Sequence, residues 1–518
     1  MLFNSYEFIF LYLPIVFVMF FWIARGSHRM AALWLAAASL FFYGWWNLRF
    51  VLLLLASIGF NFGMGYAIGR TRSSDASTKK SYWILFSAIA ANLVLLGFFK
   101  YTNFFISTVN QIAGTHWHLV NIVLPLGISF FTFTQIAFLV DTYKGIAREY
   151  NWIHYILFVT YFPHLIAGPV LHHKEMMPQF ALASTYRFNP ENLSVGITIF
   201  IIGLFKKVIL ADGLAAFADP VFAAPASGLE LNFIDAWGGA LSYSLQLYFD
   251  FSGYSDMAIG LSRMFGVILP LNFHSPYKSS NMIEFWRRWH ITLSHFLRDY
   301  LYIPLGGNRK GKIRRYVNLM ITMLLGGLWH GSAWTFVIWG GMHGVYLIIN
   351  YAWQGLRTRI GLPPNERTAG PMHALAVLLT FISVVMAWVV FRSDNFPTAI
   401  AILRAMVGMN GFAFPATWLA ETGAFGQWLS SHGIDFSAGS SLISDSITWI
   451  CASLFIVWFA PNTQQIMAEY RPALHIPETG KLKLCWRPSL LSAVLVWSLG
   501  FIAIINISKK SAFLYFQF

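Results

Sequence analysis

The sequence has little charge and almost no cysteine. Only 11% of its 518 residues are charged and 57% are hydrophobic, whereas about a quarter of the residues of a soluble domain are charged. A soluble fold cannot bury that much apolar surface, so the composition excludes a soluble globular protein. The two cysteines, Cys451 and Cys485, lie far apart and outside any CxxC or histidine-rich spacing. This spacing indicates no bound metal, no haem and no disulfide framework.

The N-terminus lacks the basic segment of a cleavable signal. Residues 1–7 carry no Lys or Arg, and the apolar run continues through Ile23, which predicts a retained first membrane span. The net charge of +14 comes mostly from short loops, such as residues 25–29 and 70–80. The positive-inside rule explains this placement without nucleic acid as a partner. It assigns both loops to the cytoplasm and the N-terminus to the periplasm.

Apolar runs of roughly 20 residues, the length that crosses a bilayer core, recur from Tyr6 to Ile507. They predict an all-α, polytopic integral membrane protein with a single membrane-embedded domain over residues 1–518. Gly and Pro interrupt some runs, as at residues 124–127, so broken or re-entrant helices are expected. Residues 233–251 and 257–269 read as two separate spans. The weakly charged residues 393–446 read as an extracytoplasmic cap.

Residues 284–300 form an amphipathic pattern. At about 100° per residue, the aromatic and leucine side chains gather on one arc and the Arg, Asp and His295 side chains gather opposite. The pattern predicts one interfacial helix on the cytoplasmic surface, since the basic residues 309–315 follow it. His290 lies at the edge of the apolar arc and is therefore the histidine that faces the protein.

His330 follows two glycines in an apolar run. If its helix leaves the cytoplasmic surface near Tyr316, His330 lies about 20 Å deep in a layer of about 30 Å. Ionisable side chains at such depth usually face a cavity or a partner. A neutral imidazole can take a proton from a hydroxyl or thiol during acyl transfer. The alternative, that His330 only forms structural hydrogen bonds between helices, stays open. His343, which has similar glycine neighbours, is a further candidate.

Residues 246–257 place carboxylates and hydroxyls inside an apolar region. Asp250 and Asp256 either form structural pairs with Arg or Lys or line a polar substrate tunnel. We include both among the expected substrate-binding residues, together with Ser252 and Tyr254. Three residues next to the two histidines complete that set: Trp286, Arg287 and Trp329.

In the residues discussed above, the chain resembles the membrane-bound O-acyltransferases. Within that family it resembles the branch that acetylates exported polysaccharides. The resemblance is carried by residues 162–169, 247–260, 284–290 together with 298–307, and 324–331. It implies a ring of transmembrane helices, with re-entrant and interfacial helices, around a central tunnel. The family's catalytic histidine maps onto His330, and its second functional position maps onto His290.

The resemblance also implies the reaction. The expected donor is acetyl-CoA from the cytoplasm, and no cofactor is expected to stay bound. The acceptor is either a polysaccharide such as alginate or a periplasmic serine esterase-like acetyltransferase that completes the transfer. The expected location is the bacterial inner membrane. The basic residues 309–315 could attract an anionic CoA or only contact lipid head groups.

Several alternatives stay open. The aromatic tail, residues 512–518, departs from the alginate branch and either docks a partner or anchors in the membrane interface. The acceptor could then be cellulose, peptidoglycan or teichoic acid. A polysaccharide-linked transporter or flippase could instead use His330, Asp250 and Asp256 to carry protons. A glycosyltransferase would need a sizeable loop domain with carboxylate motifs, and the sequence has none.

Overall fold

The computed structural model describes residues 1–72, 78–147, 149, 151–166, 168–361, 370–433, 435–438, 446–475, 485–507 and 513–514. The chain packs as two compact units. Unit 1 comprises residues Met1–Leu204, Tyr254–Asn272 and Thr463–Gln517, and unit 2 comprises Phe205–Gly253 and Phe273–Asn462. The expectation of a single domain stays a prediction, and so does the ring around a central tunnel.

Helices follow one another through the first 205 residues. After a π-helical segment, Glu7–Tyr12, they are α1 (Leu13–Ala24), α2 (His28–Gly44), α3 (Leu48–Arg72), α4 (Thr78–Ala113), α5 (Ile128–Lys144), α6 (Trp152–Thr160), α7 (Phe162–Leu165), α8 (His173–Phe180) and α9 (Pro190–Phe205).

The middle of the chain is also helical, with a π-helical turn at Lys206–Ala211 and another at Arg298–Tyr302. Its helices are α10 (Asp212–Ala223), α11 (Phe233–Met264), α12 (Met282–Arg288), α13 (Ile291–Leu297), α14 (Gly311–His330), α15 (Trp334–Arg359), α16 (Pro371–Arg392) and α17 (Phe396–Met406). Short 3₁₀ turns lie at Ala183–Tyr186, Ala224–Ser227, Pro276–Lys278 and Ala468–Tyr470.

The region expected to form the cap contains a small parallel pair of strands, β1 (Ala413–Pro415) and β2 (Asp435–Ala438). Two short helices, α18 (Ala416–Glu421) and α19 (Ala424–Ser431), connect them. Residues 434 and 439–445 of the expected cap lie outside the described residues. The chain continues with α20 (Ser446–Phe459), α21 (Thr463–Ile466) and α22 (Leu490–Ile505).

Within the part of the chain that the structure describes, five helical segments are long and apolar enough to cross a membrane: Glu7–Ala24, Leu48–Arg72, Lys79–Ala113, Pro190–Ser227 and Pro371–Arg392. Their outward surfaces carry large exposed apolar side chains, among them Leu52 and Val94. Such surfaces are stable only against lipid or another protein. The prediction of an all-α polytopic membrane protein is confirmed.

Buried amides join the helices of unit 1. Asn92 donates to Asn61 at 2.7 Å and Asn61 donates back at 3.1 Å, which links α4 to α3. Gln135 on α5 donates to the Ser57 hydroxyl of α3 at 3.0 Å. In an apolar layer, hydrogen bonds of this kind hold helices together where water cannot compete.

The C-terminal tail packs into unit 1. The Tyr254 ring lies between Phe3 and Phe513, with ring centroids 4.8 Å and 4.5 Å away. Phe513 and Leu514 are both buried. For these two residues the expectations of a free docking segment or a membrane anchor are wrong, because their apolar surface is covered within the unit. The other tail residues, 512 and 515–518, lie outside the described residues.

Glycines bring α14 and α15 of unit 2 into backbone contact. A Cβ on Gly327 would collide with the carbonyl oxygen of Phe336, and one on Gly340 with that of Met323. Small residues at both crossing points therefore allow the close approach. The hairpin between the helices holds His330 at the end of α14, only a few residues before α15 begins.

Two predictions about helices are wrong. Residues 284–300 do not form one helix, because the chain breaks at His290 between α12 and α13. The expected pair of spans at residues 233–251 and 257–269 is largely one 32-residue helix, α11, that ends at Met264. Gly253 lies inside it, because neighbouring side chains in the helix favour its continuation more than one glycine opposes it.

Candidate active site

His290 occupies the break between α12 and α13. Its backbone is left-handed, with φ of 42°, a conformation that is uncommon outside glycine although histidine adopts it more often than most residues. Asn281 caps the start of α12 by accepting from the Glu284 backbone N–H at 3.0 Å. The His290 side chain is fully buried, and its ring stands edge-on to Phe251 at 4.8 Å between centroids.

His330 lies 6.4 Å from His290 between ring centroids. Its side chain is 6% exposed, whereas His290 and His343 are 0% exposed. Helix α14, which carries His330 as its last residue, begins at Gly311.

Three aromatic rings surround His330. Trp329 lies 5.0 Å from it, Trp339 5.1 Å and Phe391 5.5 Å, all edge-on between centroids. The three rings therefore confine the imidazole of His330. Trp329 was an expected site residue, whereas Trp339 and Phe391 were not identified from the sequence.

Trp286 and Arg287, both on α12, face different surroundings. The Trp286 indole N–H donates to Nδ1 of His343 at 3.3 Å, so it contacts the third candidate histidine directly. Arg287 is exposed. Its neighbour Arg288 instead pairs with Glu284 at 2.7 Å, which leaves Arg287 as the basic side chain of α12 that is presented to the outside.

Asp250 is buried and ion-paired. Nζ of Lys207 lies 2.6 Å from Asp250 and 2.8 Å from Asp212. This is the structural pairing that the sequence left as one of two alternatives. Lys207 was not expected as the partner. Two residues further along α11, the buried Ser252 hydroxyl has no hydrogen-bond partner among the described residues, so it is free to bond water or substrate.

Tyr254 and Asp256 belong to unit 1. Tyr254 packs between Phe3 and Phe513. Asp256 accepts from the Thr463 hydroxyl at 2.6 Å and from the Gln464 amide at 2.8 Å. Both side chains are buried. These contacts correspond to packing for Tyr254 and to helix attachment for Asp256. A role in substrate binding stays a prediction for both.

Comparison with known proteins identifies the class. A model of the membrane-bound O-acyltransferase family matches residues 45–389, a range that contains His290, His330 and His343. The chain belongs to this family. Members of the membrane-bound O-acyltransferase family transfer acyl groups, so the predicted enzyme class is confirmed, and so is the resemblance.

The relatives of this membrane-bound O-acyltransferase cover most of its length. It is 39% identical to a peptidoglycan O-acetyltransferase of Helicobacter pylori, over 100% of this chain and 98% of that protein. It is 43% identical to a probable alginate O-acetylase of Pseudomonas aeruginosa, over 81% of this chain and 76% of that protein. A teichoic acid D-alanyltransferase of Streptococcus thermophilus is 29% identical over 51% of this chain and 68% of that protein.

Proposed function

We propose that this enzyme takes an acetyl group from a cytoplasmic donor, acetyl-CoA, and passes it across the bacterial inner membrane for O-acetylation of an exported polysaccharide such as alginate. A periplasmic serine esterase-like acetyltransferase receives the acetyl group or assists its transfer to the polymer. The observation that carries the proposal is the pair of histidines 6.4 Å apart, one of which, His330, keeps a small exposed fraction among three aromatic rings.

His330 acts as the general base. Its neutral imidazole takes the proton from the acceptor hydroxyl, whose oxygen forms the new bond to the thioester carbonyl carbon. The carbon–sulfur bond then breaks, and the CoA sulfur leaves with the proton that His330 returns. Between these steps His330 is a cation, and the rings of Trp329, Trp339 and Phe391 hold it in position.

His290 assists the same reaction, because its ring lies 6.4 Å from that of His330 between centroids. His290 can then hold either the acceptor hydroxyl or the carbonyl oxygen of the donor by a hydrogen bond. The exposed Arg287 offers a positive charge to the phosphates of CoA, which is attractive over several ångströms.

The acceptor polymer has a second candidate, peptidoglycan. The peptidoglycan O-acetyltransferase of Helicobacter pylori matches this chain over its full length, while a probable alginate O-acetylase of Pseudomonas putida matches equally fully at 38% identity. Membership in an acyltransferase family favours either reading over a transporter or flippase that would use the same His and Asp side chains for protons.

The test compares His330→Ala with the unchanged protein at matched abundance in the membrane. We expect exported polymer in normal amount with its O-acetyl content lowered by about 10²-fold or more, since a general base contributes at least that much. Measuring acetyl on both polysaccharide and peptidoglycan identifies the polymer. His432→Ala, directly after α19, is the matched control and should leave acetylation unchanged. Unchanged acetyl in His330→Ala would remove His330 from the mechanism, and loss of the polymer itself would favour the transporter.

The donor is tested separately with the purified enzyme in lipid vesicles. We expect release of CoA from acetyl-CoA that depends on an acceptor and on His330. Charge reversal at Arg287, as Arg287→Glu, should raise KM for acetyl-CoA with little change in kcat, because it alters binding and not the reacting atoms. An unchanged KM would remove Arg287 from the donor site.

A further inference from the structure

His343 is a third buried histidine of unit 2, and the transfer described above makes no use of it. It lies on α15 and is fully buried. Five aromatic rings surround it at 4.8–6.2 Å between centroids: Trp339, Trp286, Tyr346, Phe285 and Trp388. A leucine would fill such an apolar space at lower cost, so the presence of an imidazole there requires an explanation.

The contact with Trp286 determines which nitrogen of His343 carries the proton. An indole N–H can only donate. Since it donates to Nδ1 at 3.3 Å, Nδ1 accepts and carries no hydrogen, and the neutral ring holds its hydrogen on Nε2. The Nε2 atom is buried and has no hydrogen-bond partner among the described residues.

The ring closest to His343 is Trp339, at 4.8 Å and an interplanar angle of 65°. The two residues are four positions apart on α15, so their side chains lie on one face of the helix. A buried N–H can be partly satisfied by an aromatic face. The Trp339 ring also meets His330 edge-on at 5.1 Å, stacks on Trp388 and touches the Trp286 ring at 5.9 Å between centroids.

We propose that His343 is a positioning residue: held by Trp286, it fixes the Trp339 ring against His330. The order of contacts is Trp286 to His343, His343 to Trp339 and Trp339 to His330. This inference rests on the proposed role of His330, because the effect on catalysis passes through that histidine. In this arrangement α12 and α15 together position His330. Helix α12 supplies the indole N–H of Trp286, and α15 supplies the rings of His343 and Trp339.

The first experiment reads the proton position on His343 without any activity measurement. Protein with ¹⁵N-labelled histidine is placed in lipid, and the His343 signal is assigned by its loss in His343→Gln. We expect a single Nε2–H form in the unchanged protein and a mixture of both forms in Trp286→Phe. Trp237→Phe is the matched control, since it removes an indole that donates to the Met406 carbonyl at 2.9 Å elsewhere in unit 2. A mixture in the unchanged protein would overturn the proposal.

The second experiment separates positioning from general damage. His343→Leu should lower kcat for acetyl transfer about tenfold, the order expected when a reacting group is slightly misplaced, with KM changed less than about twofold. His343→Gln, which keeps a donor and an acceptor, should recover most of the rate. The double variant His343→Leu/Trp339→Leu should be no slower than Trp339→Leu alone, because both act on one contact.

The proposal would be overturned if the losses of kcat in the two single variants multiplied in the double variant. It would also be overturned if His343→Gln and His343→Leu lost kcat equally at unchanged thermal stability. If His343→Leu does not fold, Trp286→Phe and His343→Gln carry the same comparison. Retained transfer in His330→Ala would disprove the proposed function, whereas the ¹⁵N spectra would still decide whether Trp286 fixes the His343 ring.

Discussion

Unit 2 contains two buried polar groups that are stabilised in opposite ways. Around Lys207, groups of opposite charge are in direct contact, with carboxylate oxygens of Asp250 and Asp212 at 2.6 Å and 2.8 Å. The neighbours of His330 include uncharged rings and a second histidine. The direct ion pairs hold the Lys207 group in place. The histidine group has a different task in the proposed mechanism, in which His330 accepts and returns a proton in each turnover.

The largest expected effect comes from breaking the ion group. Lys207→Met leaves Asp250 buried without its cation, and removal of one partner of a buried pair costs about 3–5 kcal/mol of unfolding free energy. The double variant Lys207→Met/Asp250→Leu should recover most of that loss. Thermal unfolding of the purified protein checks both. Asp299→Asn, which breaks the exposed pair with Arg298, is the control and should cost at most about 1 kcal/mol. A single variant no worse than this control would contradict the structural role.

Glu149, a partly exposed carboxylate in unit 1, is expected to contribute less to stability than the buried ion group and more than an exposed ion pair. Burial alone would raise the pKa of Glu149, but hydrogen bonds from His154, His173 and the Asn151 backbone outweigh it and lower the pKa to about 2. Because this value is below that of the unfolded chain, the stabilisation is present above about pH 4.5 and is lost as the pH falls toward 2. Discounted for solvent screening, it amounts to about 1–2 kcal/mol.

Melting curves of Glu149→Gln and the unchanged protein, recorded between pH 7 and pH 3, test this expectation. The variant should be less stable at pH 7, and the difference should shrink as the pH falls. Glu421→Gln, at an exposed position, should show no such trend. A gap between the two proteins that stays constant with pH would contradict the assignment of the stabilisation to the ionised carboxylate.

A smaller effect is expected from the rings around His330. Phe391→Leu removes one of the three rings that hold His330 in position and should lower kcat about fivefold, the equivalent of about 1 kcal/mol. Phe381→Leu on the same helix is the matched control, since this ring packs on Tyr277 and Trp458. Acetyl-transfer kinetics in lipid vesicles measure both. Equal losses in the two variants would show that the rings act through packing alone.

The smallest effect on stability is expected at Ser252. Its hydroxyl has no partner among the described residues, so Ser252→Ala should change the unfolding free energy by less than about 0.5 kcal/mol. If the hydroxyl holds the acceptor, KM for the acceptor should rise several-fold. Ser244→Ala removes a hydroxyl that donates to the Ala240 carbonyl at 2.7 Å and should leave KM unchanged. An unchanged KM in Ser252→Ala would remove this residue from the binding site.

Local sequence pattern predicted the membrane fold well. The length and spacing of the apolar runs predicted the spanning helices, because a bilayer imposes one length on every segment that crosses it. The burial of His290 also followed from its place on the apolar arc. The break at His290 did not, since its left-handed backbone is held by packing from Phe251 and α12 that no local pattern contains.

Contacts between distant parts of the chain were the main omission. The partner of Asp250 is 43 positions earlier, and those of Asp256 are more than 200 positions later. Charge pattern alone could suggest that a partner exists but not which residue it is. The sequence did contain one signal for Trp339. It precedes His343 by four residues, so the two side chains lie on the same face of a helix, and a site at His343 would include Trp339.

The position of Tyr254 between Phe3 and Phe513 has a consequence for synthesis in the cell. One ring of this stack is translated among the first residues and another after more than 500 further residues, an interval on the order of a minute at bacterial elongation rates. Tyr254 is translated about midway through that interval, and its second aromatic face then waits for Phe513. The stack therefore closes late in the synthesis of unit 1, and shortening the chain before residue 513 would yield a protein that never closes it.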